Sequence, residues 1–203
     1  MAVRGAAWAV AGAVLLSGCG AAAGAPGDLE EALTVELPGF VAVAARPTPE
    51  MLCDPDPARP DLTPPGLPDG LGAPVAVNHQ TAPTTLEAYG WATEGSGEAG
   101  ELLDAAVASA ASCAWSSPGA RDLDGDGTPE TPSTEEQRVD PWSEAGWEGV
   151  RILRTVPGTE QVDRRLVRTG DVVLLVVVRT DGDDPALLAP ADDYLSAVGD
   201  ALG

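Results

Sequence analysis

Three stretches decide the fold: WEGVRILRTV at residues 147–156, QVDRRLVR at residues 161–168 and VVLLVVVR at residues 172–179. Each is rich in β-branched and apolar residues, and the turn sequences PGTE and TGD separate them. This pattern is typical of three antiparallel strands joined by short turns. The third stretch is apolar on both faces, so we expect it to be the central, covered strand, and seven apolar residues are too few to span a membrane.

Helical periodicity occurs on both sides of these strands. Apolar residues at helical spacing after Pro190 predict a C-terminal helix, and a similar pattern predicts a helix over residues 98–112. Asp28 and Glu31 have capping-box spacing and indicate a short helix ending near Leu33. Residues 74–93 indicate one or two strands interrupted near Pro83. We therefore predict an α+β fold, with helices packed on one face of an antiparallel sheet.

Two regions are predicted to be irregular. Residues 46–70 contain eight prolines, which exclude a central strand or a long helix. Residues 116–140 are acidic and polar, and they are interpreted as an irregular connection between the helix and the three strands.

The N-terminal segment is typical of an exported protein. Arg4 precedes an apolar run that is too short to span a bilayer, and the run ends in LSGC at residues 16–19. These four residues resemble the lipobox of bacterial lipoproteins, which implies cleavage before Cys19 and attachment of diacylglycerol and an acyl chain such as palmitate to that cysteine. The alternative is an ordinary secretory signal with an incidental cysteine.

Assigning Cys19 to lipid leaves Cys53 and Cys113 as a predicted disulfide, which an exported setting would preserve. The expected organisation is a signal peptide over residues 1–18, a flexible tether over 19–27 and a single domain over 28–203. The formal net charge of −21 makes nucleic acid an unsuitable partner.

The order of these features resembles a group of small exported lipoproteins of high-GC Gram-positive bacteria. The order is a lipobox, a short helix, ELPGF at residues 36–40, a proline-rich segment with one cysteine, a strand, a helix ending in the second cysteine, three strands and a closing helix. Among this group it is similar to the extracytoplasmic sensor domains of receptor-type serine/threonine kinases. The resemblance implies a non-enzymatic domain that binds a ligand or a partner at the cell envelope.

The stretch DLDGDGTPE at residues 122–130 is a candidate calcium loop. An EF-hand is excluded because its twelfth position is Ser133 and no helix pattern precedes it. In a freestanding loop the oxygen ligands would come from five residues: Asp122, Asp124, Asp126, Thr128 and Glu130. The alternative is a solvated acidic connection, with no cofactor.

Arginines are concentrated in the three late strands, and Arg154, Arg164 and Arg168 are the candidates for a face that docks an anion, an acidic partner or anionic lipid headgroups. The alternative is that these arginines pair with the chain's own acids. His79 is the only histidine, and no serine, cysteine or metal-ligand arrangement accompanies it.

The sequence therefore predicts a lipid-anchored binding or sensor-like protein on the extracytoplasmic side of the cell membrane, not an enzyme. The binding partner would be an unidentified ligand or envelope protein. One alternative is a carrier that holds an apolar ligand in a cavity between the helices and the sheet. Another is a carboxylate-dependent hydrolase, which would need a cleft with two facing carboxylates.

Overall fold

A computed structural model describes residues 26–46, 49, 51–121 and 131–203 of the chain. The predicted signal peptide, Cys19 and most of the predicted tether lie outside these ranges, as does the candidate calcium loop. The boundaries between the signal peptide (1–18), the tether (19–27) and the domain (28–203) therefore stay predictions.

The described chain contains one eight-stranded antiparallel sheet. Its strands are β1 (Val41–Val43), β2 (Val75–Thr81), β3 (Thr84–Ala92), β4 (Trp115–Arg121), β5 (Thr131–Glu144), β6 (Trp147–Val156), β7 (Glu160–Thr169) and β8 (Val172–Asp181). Their order across the sheet is β1-β2-β3-β8-β7-β6-β5-β4. The predicted three-stranded meander is confirmed as β6, β7 and β8, and β8 is central because β3 pairs with its other edge.

Three α-helices accompany the sheet in the described residues, which confirms the α+β class. They are α1 (Pro26–Leu33), α2 (Ser96–Ala110) and α3 (Pro190–Leu202), and a 3₁₀ turn, Ala111–Cys113, extends α2. Helices α1 and α2 each begin two residues earlier than the pattern predicts, and α3 begins at the predicted proline. Pro190 occupies the first turn of α3, where the missing N–H costs no hydrogen bond.

The helices lie on both faces of the sheet, so the prediction of helices on one face was wrong. One core packs α1 and α3 against alternate β8 residues, including Leu174 and Val176. A second core packs α2 against the intervening residues, including Leu175 and Val177. The apolar run of β8 explains this arrangement, because a strand that is hydrophobic at every position needs cover on both faces.

Helix α1 packs closely against the sheet where β3 has a glycine. A Cβ atom on Gly90 would lie 2.7 Å from a methyl carbon of Leu33 and 3.0 Å from one of Leu174. The absent side chain thus lets α1 approach the sheet, and Leu33 is fully buried there.

The interpretation of residues 116–140 as irregular was wrong for the described part of that stretch, residues 116–121 and 131–140. Residues of this region form β4 and part of β5, which pair with each other, and β5 pairs with β6. The sequence did not predict β5 because many of its side chains, such as those of Glu136, Arg138 and Asp140, are polar. Backbone pairing with its neighbours holds this strand in place. Gln137 is the buried exception, at 1% exposure.

The predicted disulfide between Cys53 and Cys113 is present, with its Cα atoms 5.8 Å apart. Both cysteines are buried in the core beneath α2. The bond fixes the proline-rich segment that follows β1 to the 3₁₀ turn at the end of α2.

Replacing both cysteines with alanine should lower the free energy of unfolding by about 4 kcal/mol, because the unfolded chain regains the entropy of a sixty-residue loop. Urea denaturation of the full chain, followed by tryptophan fluorescence, measures the change. A reductant should destabilise the wild type by a similar amount and leave the double variant unaffected. Equal stability of the two proteins would contradict the role of the bond.

His79 lies in β2 with its ring 5.8 Å from the ring of Tyr194 in α3. The side chain is 5% exposed, and its Nε2 has no hydrogen-bond partner in the part of the chain that the structure describes. Burial lowers its pKa below the ordinary value of 6.5, because the charged ring would lose its hydration.

Stability should therefore fall as the pH drops below about 6.5, because the unfolded state takes up the histidine proton before the folded state does. The loss should level off once the folded histidine is also protonated. Unfolding free energies of the wild type and of His79→Leu, measured from pH 7.5 to pH 5, isolate this contribution. Identical pH dependences in the two proteins would rule it out.

Candidate functional site

The predicted lipidation site and the predicted calcium loop both lie outside the described residues. These are lipidated Cys19 and the calcium ligands Asp122, Asp124, Asp126, Thr128 and Glu130. Within the described ranges, no group of three or more histidine, cysteine, aspartate or glutamate side chains is arranged to hold a metal ion. Both sites stay predictions.

The structure places Arg154, Arg164 and Arg168 on one face of β6 and β7, the face that α2 covers. Arg164 is 2% exposed and donates two hydrogen bonds to the carboxylate of Asp54, at 2.8 and 3.0 Å. Arg154 donates to Glu160 at 3.0 Å. Arg168 contacts Glu148 and donates to the carbonyl oxygen of Ser96 at 3.3 Å.

These contacts correspond to the alternative that the sequence left open, in which the arginines pair with the chain's own acids. Arg164 is buried and engaged in a bidentate ion pair, so it presents no guanidinium to solvent. Arg154 and Arg168 are partly exposed and also have carboxylate partners. The three arginines therefore hold elements of the domain together.

Asp54 is the residue that joins the proline-rich segment to the sheet. Besides Arg164, Gln137 of β5 binds its backbone: the N–H of Asp54 donates to Gln137 Oε1 at 3.0 Å. Gln137 Nε2 donates to the carbonyl of Cys113 at 2.6 Å, and the indole N–H of Trp115 donates to the carbonyl of Asp54 at 3.3 Å. The disulfide and these polar contacts lie side by side, so they restrain the same short segment.

Arginines on the opposite face of the sheet are paired as well. Asp163, which is fully buried, accepts hydrogen bonds from Arg151 at 2.9 Å and from Arg165 at 2.9 and 3.1 Å. Arg165 also binds Asp192 of α3 and lies 4.9 Å from the ring of Trp142. Burial alone would lower the pKa of Arg165, but its bonds to Asp192 and the charge of Asp163 raise it.

A smaller buried polar cluster surrounds Glu87 in β3. The hydroxyl of Tyr89 donates to Glu87 at 3.0 Å, the amide of Asn78 donates at 3.4 Å, and Arg46 lies 3.7 Å away. Burial, and then the charge of Glu87, raise the pKa of Tyr89 to about 12. The carboxylate of Glu87 is thus held by neighbours on β2, β3 and the chain after β1.

A groove with a volume of about 760 Å³ opens at one end of the sheet. All three helices contribute to it: α1 by its first turn, α2 by its start and α3 by its last turn. The turn between β7 and β8 and the end of β3 complete the walls. The lining residues are Asp28, Leu29, Ala92, Glu94, Gly95, Ser96, Thr169, Gly170, Asp171, Val172, Gly199, Ala201, Leu202 and Gly203.

The groove has an apolar floor and an acidic rim. Leu29 and Val172 are buried beneath it, Leu202 is half-buried, and Asp28 and Glu94 are exposed at its edge. The turn that carries Asp171 is fixed because its carbonyl accepts hydrogen bonds from the backbone and hydroxyl of Thr93, at 2.9 and 2.8 Å.

A second depression of about 280 Å³ continues the groove along α2 and shares Leu29, Ala92 and Glu94 with it. Leu71 and Leu102 supply its apolar walls. Trp91 forms part of this depression, and its indole N–H donates to the carbonyl of Gly72 at 2.9 Å. Together the two concavities form an elongated surface, which we call the end groove.

Sequence reasoning missed the end groove because its residues come from many elements that are far apart in the chain. The local signal was an acidic residue beside some strand ends and helix starts, as at Asp28, Glu94 and Asp171. Such residues are so frequent in this acidic chain that the pattern alone could not locate a site.

No family model matches the chain, and no curated protein matches it. Among solved structures, the chain is similar to the crystal structure of the extracellular domain of PknH from Mycobacterium tuberculosis. The two chains are 10% identical, the match covers 88% of this chain and 91% of that chain, and the TM-score is 0.49. PknH is a serine/threonine kinase.

None of the helices in the described part of the chain combines the length and apolar character needed to span a membrane.

Replacing Arg164 with methionine should lower the free energy of unfolding by about 3 kcal/mol, because Asp54 would lose its main partner in a partly buried site. The matched control is Arg138→Met, since Arg138 is 58% exposed in its pair with Glu136 and should contribute at most about 0.5 kcal/mol. Urea denaturation measures both. Similar losses in the two variants would show that the Arg164 pair has no special structural role.

Proposed function

We propose that the chain is an extracytoplasmic binding domain, anchored to the cell membrane through lipid on Cys19, which takes a ligand or partner protein in the end groove. The observation that carries the proposal is the position of the groove. Its wall includes Asp28 and Leu29 of α1, so it lies where the chain arrives from the predicted tether.

The tether limits how far the groove can be from the anchor. The start of α1, Pro26, is seven positions after Cys19, and an extended chain spans at most about 3.6 Å per position. The start of α1 would thus lie within about 25 Å of the lipidated residue. A groove held so close to the membrane surface is suited to partners that are themselves membrane-associated or part of the envelope.

The packing of the two cores favours a surface groove over the alternative of an interior cavity for an apolar ligand. Five large residues between the sheet and helices α1 and α3 are fully buried: Leu33, Leu86, Leu174, Tyr194 and Leu195. Buried side chains of this size fill the layer where a carrier would hold its ligand.

The ion pairs favour binding over the alternative of a carboxylate-dependent hydrolase. The buried carboxylates Asp163 and Glu87 are each held by hydrogen-bonding neighbours on the sheet. A general acid or base needs a free edge facing a substrate cleft. The carboxylates of the end groove are instead at its exposed rim, where they can contact a partner's surface.

The test is photo-crosslinking in living cells that produce the full chain. A photoreactive amino acid at Leu202 or Ser96, in the groove, should give an adduct of discrete mass. The same amino acid at Val41 is the control, because Val41 is 67% exposed and far from the groove. Val41 pairs with Gln80 of β2, and Gln80 pairs with Thr85 of β3. Thr85 lies seven positions before the groove residue Ala92 on the same strand, a distance of about 23 Å.

Cys19→Ala should abolish labelling by a radioactive fatty acid and release the protein from the membrane fraction or leave it unprocessed. The adduct at Leu202 should then weaken, because the groove is no longer held beside the membrane. Equal adducts at Leu202 and Val41, or none at either groove position, would contradict the proposed function.

A further inference from the structure

We infer that the end groove binds a basic, partly apolar peptide segment of an envelope protein; this inference rests on the proposed function, because it names the partner of the same groove. The distribution of charge in the domain favours a basic partner. Each of the three helices carries three acidic side chains and no basic one. Seven of the eleven arginines lie in β5 to β8, where most have the carboxylate partners described above.

The groove is the place where the three acidic helices meet. Its lining residues include the carboxylates of Asp28, Glu94 and Asp171 and no arginine or histidine. The carboxylate of Glu98 lies in the adjoining depression, and Glu101 is exposed on the next turn of α2. Like charges at this spacing on a helix repel one another, so a cationic partner would relieve the repulsion as well as pair with the acids.

The apolar floor of the groove requires a partner with apolar side chains as well as positive charge. Leu29, Val172 and Leu202 lie beneath the rim, and Leu71 and Leu102 extend the apolar surface into the adjoining depression. A purely polar cation would leave this surface exposed to water, whereas apolar side chains alternating with basic ones would cover it.

The elongated shape distinguishes a peptide from a compact cationic molecule. The carboxylates are spread from the turn between β7 and β8, past the start of α2, and then along that helix. An extended chain with basic residues every few positions can reach several of them together, and its apolar residues can enter the two concavities. The acidic net charge of the whole chain would accelerate the encounter with such a partner.

The experiment uses the full chain in a neutral detergent and two fluorescent twelve-residue peptides. One repeats arginine, valine and glycine, and the other has serine in place of arginine. Fluorescence anisotropy at low salt and at 0.5 M salt gives the affinities, and detergent alone gives the background. The arginine peptide should bind, its binding should weaken with salt, and the serine peptide should bind at least about tenfold more weakly.

Two variants with the same change in charge separate the groove from the general acidity of the protein. The groove variant combines Asp28→Asn, Glu94→Gln and Asp171→Asn, and the control variant combines Asp61→Asn, Asp181→Asn and Asp193→Asn at exposed positions outside the groove. Affinity should fall about tenfold in the groove variant and less than threefold in the control.

Equal losses in the two variants, or equal binding of the arginine and serine peptides, would overturn the inference. Circular dichroism of each variant checks that the fold is retained. If the triple variant does not fold, the single variant Glu94→Gln replaces it, and this change should weaken binding about twofold to threefold. If Leu202 crosslinks to a partner in cells while the peptides fail these criteria, the proposed function stands and the inference about the partner's charge is wrong. If neither experiment supports the groove, both fail.

Discussion

The bidentate ion pair between Arg164 and Asp54 is the contact on which the arrangement of the domain depends. A guanidinium that is 2% exposed in the middle of a sheet must have a partner, because an unpaired buried charge is strongly unfavourable. The partner comes from the proline-rich segment, 110 positions away in sequence. The neighbouring disulfide and Gln137 restrain the same segment, so covalent and polar contacts together hold it against the face of the sheet that α2 also covers.

Pairing of this kind determines which surface is available for binding. The arginines that would otherwise form a positive face are occupied by acids within the domain, on both sides of β7. Each of the three helices carries three acidic residues, and the helices converge at one end of the sheet. The end groove and its acidic rim lie there, close to the point where the predicted tether ends.

Strong local patterns in the sequence predicted much of the fold, and long-range pairing supplied the rest. The run from Val172 to Val178 marked the central strand, and the two cysteines left after Cys19 gave the disulfide. Strand β5 was missed because the partner strand decides its conformation and its own side chains are mostly polar. The helices on opposite faces were missed because periodicity gives the apolar side of a helix but not the sheet face that it covers. Neither the pairing of Arg164 with Asp54 nor the end groove could be predicted, since each joins residues separated by most of the domain.

We propose that the protein contacts its partner through the end groove, beside a lipid anchor on Cys19. Hydrogen–deuterium exchange of the full chain in membranes isolated from the producing cells, compared with the same chain purified in detergent, tests this most directly. We expect extra protection in native membranes at residues 92–98, 169–172 and 199–202, with little change along β6 and β7. Extra protection over the arginine-bearing strands, and none around the groove, would contradict it.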